Sequence, residues 1–175
     1  MKGSKEKIIY FITGASGVGK TTLVSELETK YRNMPWAFLH FDSIGVPSVS
    51  EMQKAFGSPS GWQESKAHEW IDRLIHNYTD EKIFLEGQVN LEFIRNGFQK
   101  HNFNSYKIIL IDCSEAEMAH RLISKRAQPE LFSNDMRNWL KFLRTQAEIS
   151  GTVVIDTSDL SRDEALQKFE EAIWL

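Results

Sequence analysis

Cysteine is nearly absent from the 175-residue sequence, which contains only Cys113. A lone thiol cannot form an internal disulfide, and disulfides persist mainly in oxidising compartments. We therefore expect a cytoplasmic protein. We also expect Cys113 to be a small buried residue at a strand end, not a nucleophile.

Long apolar runs are missing as well. No stretch of the sequence approaches the ~20 apolar residues that a membrane-spanning helix needs. Residues 1–7 are basic, but the apolar run behind them, residues 8–12, is shorter than the roughly 7–15 residues of a signal peptide's apolar region. The sequence thus predicts neither a membrane span nor a secretion signal.

Positive charge is not in excess. The chain has 21 Lys and Arg against 24 Asp and Glu, a net charge of −3. Nucleic-acid-binding proteins normally carry a basic surplus, so this balance disfavours a nucleic-acid partner. The length predicts one domain spanning residues 1–175, since domains typically hold roughly 100–200 residues.

Short apolar runs alternate with helical periodicity along the whole chain. The runs predict buried strands at residues 8–12, 36–41, 83–85, 107–112 and 152–155. The periodicity predicts helices at residues 19–31, 48–56, 62–79, 90–101, 115–127, 134–149 and from 161 onward. This alternation is typical of an α/β fold in which helices cover both faces of a parallel sheet. A helical insert around 45–80 and a short segment around 126–134 interrupt it.

One glycine-rich motif carries the clearest chemical signal. Residues 14–21 match G-x-x-x-x-G-K-[ST] and lie between a predicted strand and a predicted helix, as a phosphate-binding loop (P-loop) requires. The motif consists of Gly14, Ala15, Ser16, Gly17, Val18, Gly19, Lys20 and Thr21.

The residue types of this motif suit a nucleoside triphosphate. Its glycines allow successive N–H groups to point at one phosphate, and the helix behind it adds a partial positive charge. Lys20 is the point charge expected on the β- and γ-phosphates, and the Thr21 hydroxyl is expected on Mg²⁺. Thr22 is expected near the α-phosphate. We therefore predict ATP and Mg²⁺ as cofactors.

Other classes of P-loop protein fit poorly. Residues 42–45 match the D-x-x-G switch motif of GTPases, but they lie only 22 residues beyond Lys20, and N-K-x-D is absent. Motor and transporter ATPases need more chain and further signature motifs. Small-molecule kinases remain.

From the P-loop to its last helix, the chain resembles the nucleoside-monophosphate-kinase-like group of P-loop kinases. This group includes adenylate, shikimate and gluconate kinases and chloramphenicol phosphotransferase. The resemblance rests on Asp42-Ser43 after the second strand, on Glu86 ending the third, and on residues 121–131. It implies the three-layer P-loop NTPase fold with the strand order 2-3-1-4-5.

The same resemblance implies roles for individual residues. Asp42 would serve as base or orienting group for an acceptor hydroxyl, and Glu86 would hold Mg²⁺ or touch substrate. Arg121 would stack on the adenine, while Lys125 and Arg126 would reach the transferring phosphate from a lid at 126–134. Two simpler interpretations stay open: Asp42 as a turn residue, and the basic residues as partners of a helix dipole.

Weaker candidates surround this set. Gln88 and Arg95 are possible substrate-side residues, and residues 156–158 would flank the adenine by the same resemblance. The five histidines show no spacing typical of metal ligands. Residues 121–144 carry six Lys and Arg against two acidic residues, a local charge of +4 that suits a triphosphate.

The hypothesis that follows is a kinase that moves the ATP γ-phosphate to a hydroxyl of a small molecule, as a monomer or homodimer. A nucleoside-monophosphate kinase is the first alternative, but the insert offers few cations for a phosphate on the acceptor: Arg73, Lys54 and Lys66. A regulatory module that binds or hydrolyses ATP is the second.

Overall fold

The computed structural model describes residues 7–174. Residues 1–6, which hold most of the basic start of the chain, and residue 175 lie outside the described part. Within residues 7–174, none of the helices combines the length and the apolar character that crossing a bilayer requires.

Five parallel strands form one sheet in the order β2-β3-β1-β4-β5. The strands are β1 (Ile8–Thr13), β2 (Trp36–His40), β3 (Lys82–Glu86), β4 (Tyr106–Asp112) and β5 (Val153–Asp156). The predicted fold class and strand order are confirmed. All five strands therefore end at the same edge, where parallel α/β sheets place their ligands.

Within the described part of the chain, seven α-helices cover the two faces of this sheet. They are α1 (Lys20–Lys30), α2 (Val49–Phe56), α3 (Pro59–His76), α4 (Leu91–Lys100), α5 (Glu115–Ala119), α6 (Asn134–Ser150) and α7 (Arg162–Trp174). Successive residues of a strand point to opposite faces. Accordingly, Tyr10 and Ile12 pack in one core with α1 and α7, whereas Ile9 and Phe11 pack in a second core with α3 and α4.

Two helices differ from the sequence prediction. Helix α3 begins at Pro59 because Ser58 accepts a hydrogen bond from the backbone of Gly61 and proline suits the first helical turn. The helix expected over 115–127 keeps α-helical geometry only to Ala119. It continues as a six-residue π-helical turn, His120–Lys125, and such wider turns frequently mark functional positions.

A charged pair fixes the end of β4 to α6. Asp112 is 5% exposed. Its two carboxylate oxygens accept hydrogen bonds from two N–H groups of the Arg144 guanidinium, at 2.7 and 3.1 Å. The backbone oxygen of Asp112 also accepts a hydrogen bond from Thr157 N at 2.9 Å. Asp112 thus connects both α6 and the loop that follows β5 to the end of β4.

Replacing Arg144 by methionine leaves the Asp112 carboxylate buried without its cation. Because Arg144 is itself partly exposed, we expect a loss of about 2 kcal/mol in the free energy of unfolding, below the 3–5 typical of fully buried pairs. Arg137→Met is the matched control on the same helix, because Arg137 contacts Asn134 and the Phe132 ring and does not bond to a buried carboxylate. Chemical denaturation measures both variants, and equal midpoints would contradict a stabilising pair.

Candidate functional site

The P-loop curls between the end of β1 and the start of α1. Gly17 has a φ of +84°, and a Cβ there would lie 2.9 Å from Leu122 Cγ. No L-residue fits this position without strain, because both the backbone angle and the space exclude a side chain. Gly19 then forms the N-cap of α1, so the first helical N–H groups face the loop.

Side-chain bonds tie the P-loop to the segment that follows β3. The Thr13 hydroxyl donates to Val89 O at 2.6 Å and accepts from Val89 N at 3.1 Å, fully buried. Three residues further along the chain, the Ser16 hydroxyl donates to Gln88 Oε1 at 3.0 Å. The phosphate loop and the Glu86 end of β3 therefore form one rigid unit.

Lys20 is buried at the centre of this unit, with 9% of its surface exposed. Its ammonium donates to Ala15 O at 2.9 Å. Burial lowers the pKa of Lys20 to about 8, since desolvation disfavours the charged form. The Glu86 and Asp42 carboxylates oppose this shift of the pKa, whereas Arg126 adds to it.

Glu86 gathers two further side chains at the carboxyl end of β3. Its buried Oε1 accepts a hydrogen bond from the Thr21 hydroxyl at 3.3 Å and lies 2.8 Å from His40 Nδ1. His40 is the last residue of β2, directly beside β3. This contact was not predicted from the sequence, although a polar residue at a strand end beside Glu86 is a usable signal.

Asp42 lies in a 3₁₀ turn, Phe41–Ile44, that begins where β2 ends. The strand predicted to include Phe41 therefore stops one residue earlier. The turn is held by Trp70 Nε1, which donates to Phe41 O at 3.0 Å, and by Gly87, where a Cβ would approach Phe41 Cβ to 2.4 Å. The missing side chain of Gly87 thus leaves room for Phe41.

Two adjoining cavities open at this edge of the sheet. The smaller, of about 180 Å³, is strongly polar. It is lined by Ser16, Gly17, Gly19, Lys20, Thr21, Asp42, Glu86, Gly87, Gln88 and Arg126. The larger, of about 470 Å³, has Thr22, Leu23, Arg121, Lys125, Arg126, Thr157, Leu160, Arg162 and Ala165 among its lining residues. Gly17, Gly19 and Arg126 border both cavities.

Arg121 forms a wall of the larger cavity. Its guanidinium donates to Val18 O, Thr157 Oγ1 and Thr157 O at 2.9 Å each, and to Glu117 at 2.7 Å. It therefore joins the P-loop to the loop behind β5. The sequence suggested only an adenine contact for this arginine and gave Thr157 little weight.

The segment predicted as a lid has an irregular backbone. The π-helical turn ends in a hydrogen bond from Arg126 N to Arg121 O at 3.0 Å, and Ala127 then takes a φ of +51°. A short 3₁₀ helix, Pro129–Leu131, follows. Positive φ at a non-glycine residue is uncommon and collects at functional segments. Lys125 and Arg126 are exposed.

The positive charge of residues 121–144 is largely compensated. Ion pairs join Arg121 to Glu117, Lys141 to Glu115 and Arg144 to Asp112, all of them acids that precede this stretch. The cations of this stretch outside these ion pairs are Lys125, Arg126 and Arg137, and of these Lys125 and Arg126 line the cavities. The amino-acid composition alone therefore overestimates the positive charge that these residues offer to a ligand.

Two minor sequence candidates are also placed by the structure. Arg95 does not reach the site, because its guanidinium donates to Thr152 Oγ1 at 2.6 Å and to Ser150 near the start of β5, towards the opposite edge of the sheet. Cys113 is fully buried, and burial raises the pKa of its thiol to about 11. The expectation that Cys113 is a packing residue is confirmed.

A family model described as an AAA domain matches residues 11–137, which include the P-loop, Asp42, Glu86 and Arg126. The chain belongs to the AAA domain family. No curated protein sequence matches it.

Solved structures share the fold of this AAA-domain chain over nearly its whole length. A shikimate kinase from Acinetobacter baumannii in complex with shikimate superposes with a TM-score of 0.64 at 14% identity, covering 99% of this chain and 96% of that one. A gluconokinase from Sinorhizobium meliloti 1021 gives 0.62 at 14% identity, with 98% and 97% covered. A shikimate kinase from Bacteroides thetaiotaomicron gives 0.59 at 17% identity, with 96% and 99% covered. The predicted resemblance to P-loop small-molecule kinases is confirmed at the level of the fold.

The lowered pKa of Lys20 predicts a pH dependence for ATP binding to this AAA-domain chain. A phosphate would bind the charged form of the amine, and the ligand-free protein loses that charge as the pH rises through about 8. The dissociation constant for ATP should therefore increase about tenfold from pH 7 to pH 9, following the charged fraction of Lys20.

Titration calorimetry in EDTA measures this dependence without a metal ion. Lys20→Ala is the control: we expect weaker binding at pH 7 and no further loss up to pH 9. A wild-type affinity that stays constant over this interval would show that the amine does not titrate there.

Proposed function

We propose that this chain is a kinase that transfers the γ-phosphate of ATP to a hydroxyl of a small molecule, with Mg²⁺ as cofactor. The observation that supports this most is the pair of adjoining cavities bordered by Gly17, Gly19 and Arg126. A nucleotide in the larger cavity would have its phosphates on the P-loop and its terminal phosphate in the smaller one. Asp42 lines that smaller cavity.

Binding of ATP, the phosphate donor, would explain the larger cavity and the position of Lys20. The volume of about 470 Å³ lies within the range of small-ligand sites. Backbone N–H groups of the P-loop and the Lys20 ammonium would neutralise the phosphates. Phosphate oxygens would replace the Ala15 carbonyl as acceptors from Lys20.

The side chains around Glu86 fit Mg²⁺. This ion prefers oxygen ligands and usually keeps several waters, and the Thr21 hydroxyl and the Glu86 carboxylate face one polar cavity. These two residues would hold it, as the sequence analysis proposed. When bound, it would neutralise charge on the transferring phosphate.

The acceptor side is assigned to Asp42, with helices α2 and α3 of the insert around it. The acceptor oxygen would bond to the γ-phosphorus while the bond to the ADP oxygen breaks, and the hydroxyl proton would pass to the Asp42 carboxylate. Arg126 would stabilise the charge on the phosphoryl oxygens from the lid. Lys125 would assist it on the donor side.

The cations of the insert argue against a nucleoside monophosphate as acceptor. Lys66 and Arg73 both pair with Glu69, and Arg73 also lies over the Trp70 ring. Both cations thus share Glu69 as their partner, and neither lines the smaller cavity. Two proteins that share this fold are named as a shikimate kinase and a gluconokinase, and these names support a hydroxyl acceptor.

The first prediction from this proposal concerns the acceptor base. In a coupled ADP-release screen over alcohols, sugars, nucleosides and phenicol or aminocyclitol drugs, we expect some acceptor to stimulate turnover. Asp42→Asn should then lower kcat about 100-fold or more, with the KM for ATP nearly unchanged.

Ser43→Ala is the neighbouring control, because the Ser43 hydroxyl is exposed and bonds only to His40 O. A stimulated turnover that Asp42→Asn leaves within about threefold of wild type would rule out Asp42 as the base. ATP hydrolysis that no acceptor stimulates would favour the regulatory module.

The second prediction concerns the lid. Arg126→Met should lower kcat about 1000-fold if this arginine acts only on the transition state, while the ATP dissociation constant changes little. Arg32→Met, an exposed arginine just beyond the far end of α1, is the charge-matched control. A loss of ATP affinity with kcat unchanged would instead assign Arg126 to ground-state binding.

A further inference from the structure

Three potential metal ligands meet at the edge of the molecule opposite the P-loop. Asp72 and His76 lie four residues apart on one side of α3, and His101 directly follows α4. Both helices end here, shortly before the chain enters β3 and β4 at their amino ends. We call these three residues the His–Asp cluster.

The distances within the His–Asp cluster match a tetrahedral ion. Asp72 Oδ1 lies 3.2 Å from His76 Nδ1 and 3.7 Å from His101 Nε2. One ligand atom from each of the three residues falls within 4.8 Å of the others. Zinc bonds of about 2.0–2.1 Å at tetrahedral angles separate neighbouring ligand atoms by about 3.3 Å. The side chains need only small rotations to surround an ion.

The neighbouring lysine and arginine side chains contact other residues and not the His–Asp cluster. Lys100 precedes His101, but its ammonium lies 2.8 Å from His68 Nδ1. Arg73 follows Asp72, and its guanidinium pairs with Glu69. Within residues 7–174, Asp72 therefore faces two imidazoles, whose rings meet edge to face at 5.5 Å, and its recorded ion pairs are with these two histidines.

We propose that the His–Asp cluster binds Zn²⁺ through Asp72, His76 and His101, with water in the fourth position. Two imidazoles and one carboxylate are a zinc ligand set, whereas Mg²⁺ and Ca²⁺ prefer oxygen alone. His76 Nδ1 also lies 2.9 Å from Asp72 O, and Zn²⁺ displaces the proton that this contact uses.

The ion would link the end of α3 to the end of α4. These helices pack together on one face of the sheet, where Gly97 leaves room for Ile71 and His68. At its other end, α3 carries Gln63, which bonds to Gln88 O and Asn90 N beside the phosphate site. Zinc would thus stabilise the layer that supports the acceptor side without touching it.

Zinc titration of the EDTA-stripped, nucleotide-free protein tests the proposal. We expect one equivalent to bind with a dissociation constant of about 1 μM. At a hundredfold excess over that value, Tm should rise by about 5–10 °C. The double variant His76→Ala/His101→Ala should lose more than about 100-fold in affinity, since even outer-shell partners of a metal are worth 10- to 100-fold.

His120→Ala, which removes an exposed histidine outside the cluster, should bind zinc as the wild type does. Equal zinc affinity in the wild type and the double variant would overturn the proposal. Cobalt substitution in the wild-type protein gives an independent result that requires no variant. Intense visible absorption from tetrahedral Co²⁺ supports the site, and weak octahedral absorption contradicts it.

Discussion

Burial of the Lys20 ammonium is the constraint on which the rest of the site depends. A cation removed from water is costly unless oxygen atoms surround it, and here it has the Ala15 carbonyl together with the nearby charges of Glu86 and Asp42. These groups lie at the carboxyl ends of β1, β2 and β3. The bonds from Thr13 to Val89 and the packing of Phe41 on Gly87 therefore maintain an electrostatic arrangement, not only a fold.

The features that could be predicted from the sequence depend on short-range patterns. Apolar runs and helical periodicity indicate the parallel sheet, and the spacing of residues 14–21 indicates the phosphate loop, because each pattern reflects local backbone geometry. The strand order came from resemblance to known kinases. Asp42 and Glu86 were predicted from the resemblance and from their positions at strand ends, which a parallel sheet brings to one edge, and both line the smaller cavity.

The features that sequence reasoning missed depend on which distant residues meet. Arg121 holds Val18 and Thr157, and Asp112 neutralises Arg144, across separations that no local pattern encodes. Histidines without metal-ligand spacing in the sequence converge once α3 and α4 pack. The π-helical turn replaces a regular helix where the chain must pass against the phosphate loop.

Contact between Leu122 and Gly17 also affects how the glycine motif is interpreted. Leu122 is fully buried and fills the space that a side chain at position 17 would need. Packing alone would therefore keep glycine at position 17 in a descendant of this protein that no longer bound nucleotide. In such a lineage the motif would outlast the activity, and loss of function would first become visible at Lys20 and Asp42.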